Sequence, residues 1–178
     1  MTDPTYAEDL PGLGRFTLTR LDPATDADLV HGWVTEPRAE FWGMTDHTLD
    51  DVREVYTFLD GLDTHHAYLM RLDGTPVGIF QTYEPGADPI GGYYPVRDGD
   101  FGIHLFLAPA EPPVPGFTGA VAAALVRFVF EVPDRKRIVV EPDARNVRAL
   151  HRWKRLGFVF GDQVTLPHKT AQLAFLDR

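Results

Sequence analysis

The sequence predicts an α/β fold, a single domain in which a mixed, mostly antiparallel sheet is flanked by helices. Three observations carry that expectation. Residues 100–158 run as strand, glycine-bearing loop, apolar helix, strand, polar turn and basic helix, which makes one parallel crossover. Before them, two strand-like segments meet at Asp73-Gly74, a hairpin signal that adds antiparallel pairing. A chain of 178 residues is also long enough for one core that buries roughly 70% of the unfolded surface.

The elements follow in order. Residues 1–14 read as a flexible arm and residues 15–178 as the domain. Residues 15–21 (RFTLTRL) alternate as a strand. Residues 26–35 form a short helix capped by Thr25 or Asp26, and Glu36-Pro37-Arg38 breaks it. Residues 48–62 form a second helix with Leu49, Val52, Val55, Tyr56 and Leu59 on one stripe. Strands over 67–72 and 76–83 flank the hairpin turn, and 84–99, rich in Pro, Gly and Asp, form a loop. The next strand covers 101–108 and runs into a stretch, 109–116, with four prolines. The helix over 118–131 buries Val121, Ala124, Leu125, Phe128 and Val129, and Pro133 stops it. A fully buried strand over 137–141, a helix over 147–156 closed by Gly157, and strands over 158–166 and 170–176 complete the order β α α β β β α β α β β.

Composition narrows the function classes. The chain has no cysteine, which excludes disulfides, thiolate metal sites and a cysteinyl acyl-enzyme and fits a reducing compartment. Its longest apolar run, 120–126, is far too short for a bilayer. The start, Met1-Thr2-Asp3-Pro4, is acidic and lacks the basic opening of a signal peptide, so the expected setting is the cytoplasm, with no membrane partner. Net charge is −9, with residues 134–178 at +5 and residues 1–133 at −14. That balance argues against nucleic acid, which needs a basic footprint. A basic C-terminal quarter suits an anionic donor and an acidic remainder suits a cationic acceptor, while the same asymmetry also serves as a solvated surface. The remaining histidines show no metal-ligand spacing, and no metal is expected.

The chemistry centres on His104, set among apolar neighbours on its strand, on one face with Gly102 and Phe106. Histidine is the side chain whose ordinary pKa suits proton transfer near neutrality, while on a buried strand it equally serves as a hydrogen-bonded core residue. Either Glu141 or Asp143, at the end of the 137–141 strand and just beyond it, is placed to orient the imidazole; Asp143 is the preferred partner. Gly116, Thr118, Gly119 and Ala120 open the apolar helix, where backbone N–H groups and the helix dipole favour a phosphate. Arg148, Arg152 and Arg155 lie on one face of the last helix, a stripe that suits phosphates or merely solvates that face. Asn146 caps that helix or bonds the donor. Phe41, Trp42, Tyr83, Tyr93 and Tyr94 stand on loops or strand ends as walls for an aliphatic acceptor. Glu84 and Asp88 beside them suit a second, non-reacting ammonium, or simply solvate a long loop.

The element order, Asn146-x-x-Ala149 and Arg155-Leu156-Gly157-Phe158 resemble the GNAT superfamily of acyl-CoA-dependent N-acyltransferases. Three segments, 33–44 (WVTEPRAEFWGM), 100–109 (DFGIHLFLAP) and 166–173 (LPHKTAQL), are similar to the hydroxamate-forming acyltransferases of siderophore pathways. The resemblance implies an acyl-CoA co-substrate (acetyl-CoA or succinyl-CoA) and an N-hydroxylated diamine or N-hydroxylysine acceptor. It makes His104 the base and places Phe106, Leu107, Asn146, Arg148 and Trp153 with the coenzyme-binding glycines. Gln81 and Lys169 go with the acceptor. The chain departs from the superfamily twice: the full Gln/Arg-x-x-Gly-x-Gly/Ala loop is absent, and Trp153 stands where a tyrosine is common. Acylation of an ordinary primary amine, and a non-catalytic CoA-binding domain, remain alternatives, and the protein is either a monomer or a homodimer.

Overall fold

A computed structural model of the chain describes residues 3–110 and 112–178; Glu111, in the proline-rich stretch, and residues 1–2 of the expected arm lie outside the described residues. Eight strands form one sheet in the order β1-β2-β3-β4-β5-β6-β8-β7. They are β1 (Tyr6–Leu10), β2 (Gly14–Arg20), β3 (His65–Leu72), β4 (Thr75–Tyr83), β5 (Asp100–Leu107), β6 (Arg137–Val140), β7 (Val159–Thr165) and β8 (Thr170–Asp177). The helices are α1 (Pro23–Val34), α2 (Leu49–Asp60), α3 (Phe117–Phe130) and α4 (Val147–Arg155). The pairings β1–β2, β2–β3, β6–β8 and β7–β8 are antiparallel, and β5–β6 is parallel.

The chain divides into two compact units, Met1–Gln81 with Leu105–Phe117, and Thr82–His104 with Thr118–Arg178. In the first unit, β1 occupies part of the stretch expected to be a loose arm. Its Tyr6–Leu10 pairs in register with Leu18–Gly14 of β2, and Leu10 is buried. The segment YAEDL has too weak an alternation to announce a strand; the pairing edge of β2 supplies the order. Helix α1 begins earlier than expected, at Pro23. Asp22 caps it by accepting from the Ala24 N–H, and proline fits the first turn, where its missing donor costs nothing. Thr48 caps α2 reciprocally with Asp51. Asp73 and Gly74 both take positive φ, as the tight β3–β4 hairpin requires. Val30, Val34, Val52, Tyr56, Ile79 and Phe106 make this unit's core.

In the second unit, Asp100 organises the loop after β4. Its carboxylate accepts two bonds from Arg137 at 2.6 and 2.7 Å, one from the Tyr94 hydroxyl and one from the Arg97 N–H. Four donors converge on this largely buried carboxylate, one on Oδ1 and three on Oδ2, and so offset the cost of taking its charge out of water. The turn after β6 is fastened to β8 by Ala144 N–H to the Thr170 carbonyl and Gln172 N–H to the Pro142 carbonyl. The β7–β8 turn closes with Leu166 N–H to the Lys169 carbonyl. These bonds put residue 169 beside residue 141.

Candidate active site

The register of the parallel pair places the catalytic candidate. Gly102 lies opposite Val139, and counting two residues along both strands sets His104 opposite Glu141. The His104 Nε2 meets the Glu141 carboxylate at Oε1, and Lys169 Nζ meets the same carboxylate at Oε2. Lys169 also donates to the Glu141 backbone carbonyl at 2.8 Å. The Tyr83 hydroxyl donates to Oε1 at 3.4 Å, and its ring lies 4.9 Å from the imidazole. Gly102 permits that stacking, because a Cβ there would run into the Tyr83 ring. The Glu141 side chain is 6% exposed and the His104 side chain 36%. The base candidate therefore reaches solvent while its anchor does not.

Burial pushes the Glu141 carboxyl up, but His104 and Lys169 outweigh it and hold it down at about 2. It is an anion at any working pH and accepts only. The Nε2 of His104 is therefore the protonated nitrogen, and in the neutral ring the lone pair sits on Nδ1. Burial, then the Glu141 charge, drives the Tyr83 hydroxyl far above its ordinary value, so Tyr83 is a fixed neutral donor.

Several expected roles change. The Asp143 carboxylate is taken by the Arg145 guanidinium and N–H, which leaves Glu141 as the partner of His104. Lys169, expected with the acceptor, bonds two oxygens of Glu141. Tyr83 is a buried neighbour of His104 and not an open wall. Asp88 caps a short helical turn by accepting from the Ile90 N–H, whereas Glu84 is exposed. Tyr93 is exposed, and Tyr94 packs on Phe175. In the first unit, Trp42 meets the edge of Phe106 at 5.4 Å, and Arg38 lies over Phe106 and bonds the Leu107 carbonyl at 3.1 Å. Phe41 sits in the same helical turn as Trp42, and Gln81 lies by the buried Tyr56 hydroxyl.

A second feature of the second unit, besides the His104–Glu141 pair, is a cleft of about 370 Å³ lined by Thr118 and Gly119 of α3 and by Arg148, His151, Arg152, Arg155 and Leu156. A Cβ at Gly119 would meet nothing within 4 Å, so the helix start is open to close approach. Arg152 is partly buried, and burial lowers its pKa. No described carboxylate pairs with its side chain or with that of Arg148. Two guanidinium groups beside open backbone N–H groups fit the phosphates of a coenzyme. Gly116, just before α3, takes positive φ in a turn, and Ala120 is half-buried in the first helical turn. Asn146 caps α4 by accepting from the Ala149 N–H, and Trp153 is buried against Phe158 at 5.0 Å. Neither residue lines the cleft. Among the described residues no group of three or more His, Cys, Asp or Glu is arranged to hold a metal, and no helix is long and apolar enough to cross a membrane.

The fold has known relatives. The chain is 29% identical over 153 residues to an aminoglycoside N(6')-acetyltransferase type 1 of Klebsiella pneumoniae, spanning 83% of this chain and 76% of that protein. It is 24% identical over 160 residues to an N(6)-hydroxylysine O-acetyltransferase of Escherichia coli, spanning 88% of this chain and 50% of that protein. A solved aminoglycoside acetyltransferase in complex with coenzyme A superposes with a TM-score of 0.80 at 28% identity, over 92% of this chain and 95% of that one. The family model described as "Acetyltransferase (GNAT) domain" matches residues 22–166. With most of the chain inside that match, and with its strand order and helices in place, this chain belongs to the GNAT acetyltransferase family.

Proposed function

We propose that this acyl-CoA-dependent N-acyltransferase forms hydroxamates, passing an acetyl or succinyl group to the hydroxylated nitrogen of N-hydroxylysine or an N-hydroxylated diamine. The observation that carries the proposal is the His104–Glu141 pair, which leaves Nδ1 of a partly exposed imidazole as the proton acceptor. Acyl-CoA supplies the thioester electrophile. Thr118 and Gly119 N–H groups with Arg148, Arg152 and Arg155 hold its phosphates. With no cysteine to carry the acyl group, transfer is direct. As the acceptor nitrogen bonds the acyl carbon and the carbon–sulfur bond breaks, His104 Nδ1 takes the N–H proton, and Glu141 stabilises the imidazolium that forms. Trp153, a buried indole, has no acidic proton for the leaving thiolate.

A hydroxylated nitrogen is less basic than a simple amine, so it is already neutral near pH 7 and needs only a modest base. That chemistry supports the hydroxylamine acceptor, as do the three segments 33–44, 100–109 and 166–173 and the relative named for N(6)-hydroxylysine. The aminoglycoside relative and the solved aminoglycoside enzyme favour a second reading, acetylation of an aminoglycoside amine. In either case His104→Ala should lower kcat by about 10²-fold or more while acyl-CoA affinity stays the same. Thiol release from acetyl-CoA in the presence of N-hydroxycadaverine measures it. A folded His104→Ala enzyme with near-normal kcat between about pH 6 and 9 removes the base assignment.

A further inference from the structure

Lys169 lies on the carboxylate that holds the proposed base. Its side chain is 18% exposed, and its ammonium spans the Glu141 carbonyl and Oε2 while His104 occupies Oε1. The carboxylate thus divides its negative charge between an imidazole and an ammonium group. Had His104 faced Glu141 alone, a buried anion beside it would hold a proton on the ring and withdraw the base near neutral pH. We propose that Lys169 is a positioning residue: by sharing the Glu141 carboxylate it weakens that anion's hold on the imidazole proton, and so decides the pH above which His104 works as a base. The proposal rests on His104 being the base of the proposed function.

The other charged and titratable groups around the pair come from every neighbouring element. Tyr83 of β4 donates to Glu141 and stays neutral. Asp88, in the loop after β4, acts on Tyr83. Asp143, in the turn after β6, acts on Lys169, with its own charge compensated by Arg145. None of these places a second cation on the Glu141 carboxylate. Lys169 is therefore the cation whose removal leaves the anion to His104 and the neutral Tyr83 hydroxyl, and the bonded β7–β8 turn fixes it there.

The test reads the imidazole directly. In uniformly ¹⁵N-labelled protein, the His104 ring nitrogens are followed by long-range ¹H–¹⁵N spectra from about pH 5 to 10 and assigned by the signals lost in His104→Gln. Wild type should carry its neutral-form proton on Nε2. Lys169→Met should move the titration midpoint upward by about one pH unit, while Lys169→Arg stays near wild type. The acidic limb of kcat/KM for acetyl-CoA and N-hydroxycadaverine should move with it, and the high-pH plateau should be retained, which a merely structural loss would lower. A midpoint that is unchanged or lowered in Lys169→Met, or a neutral-form proton on Nδ1, overturns the proposal. Lys169→Gln is read the same way where the methionine variant does not fold, and failure of both to fold also overturns it, since Lys169 is then needed for the fold itself. Full turnover by His104→Gln would instead sink the base assignment, and the titrations would still report whether Lys169 shares the carboxylate.

Discussion

At Glu141 a single buried carboxylate is bonded by an imidazole, an ammonium and a phenol. Its folded value of about 2, against 4.5 ordinarily, contributes on the order of 3 kcal/mol of stability. Because the folded value lies below the unfolded one, that stabilisation is complete above about pH 5 and fades as pH falls from 4.5 toward 2. Wild type and Glu141→Gln should therefore differ most in urea unfolding near neutrality, where the variant also leaves Lys169 buried beside a neutral amide, and converge in acid. Equal spacing of their midpoints at about pH 7 and pH 3 would contradict the assigned ionisation. His104 stood out in the sequence as a titratable group among apolar residues, and the resemblance of segment 100–109, rather than that setting alone, singled it out from a hydrogen-bonded core histidine. Its partner was not legible, because Glu141 and Asp143 are both carboxylates near one strand end. The parallel register, Gly102 opposite Val139, decides between them. Tyr83 was read as a wall since nothing in a sequence says that Gly102 makes room for its ring.

At the scale of elements, the start of α3 and one face of α4 form the cleft that suits an anionic donor. The glycine pattern there lacks the usual phosphate-loop spacing, yet the open backbone at Gly119 and Arg152, which pairs with no described carboxylate, suit an anion by the same physical means. Gly119→Val and Arg152→Gln should each weaken CoA binding about 5-fold or more with the fold intact, by the loss of close approach in one and of a charge-assisted bond in the other. Calorimetry with CoA measures both, and wild-type affinity in the two variants would place the phosphates elsewhere. Periodicity and capping signals revealed α2, α3, α4 and the Asp73-Gly74 hairpin, since each buries a regular apolar face or uses a residue that fits one turn. Strand β1 escaped because its order comes from pairing with β2 and not from its own pattern. The cap of α1 was misplaced because Asp22, Thr25 and Asp26 are all capping residues, and only Pro23 marks where the helix starts.

For the molecule as a whole, the basic C-terminal quarter seen in the sequence is now partly explained. Arg148, Arg152 and Arg155 line the cleft beside the start of α3, Lys169 bonds Glu141, and Arg137 pairs with Asp100. The acidic remainder is less specific: Asp88 and Asp22 are caps and Asp51 half of a capping box, so part of that charge is structural. What the fold cannot announce is the acceptor, because the same scaffold serves aminoglycoside and hydroxylamine relatives. The most direct test compares kcat/KM with acetyl-CoA for N-hydroxycadaverine, cadaverine and an aminoglycoside in parallel, with the products identified by mass and by ferric-ion colour for the hydroxamate. The hydroxylated acceptor should be preferred by at least about tenfold, with the acyl group on the hydroxylated nitrogen. Equal or faster acylation of cadaverine or of the aminoglycoside would contradict the hydroxamate-forming function.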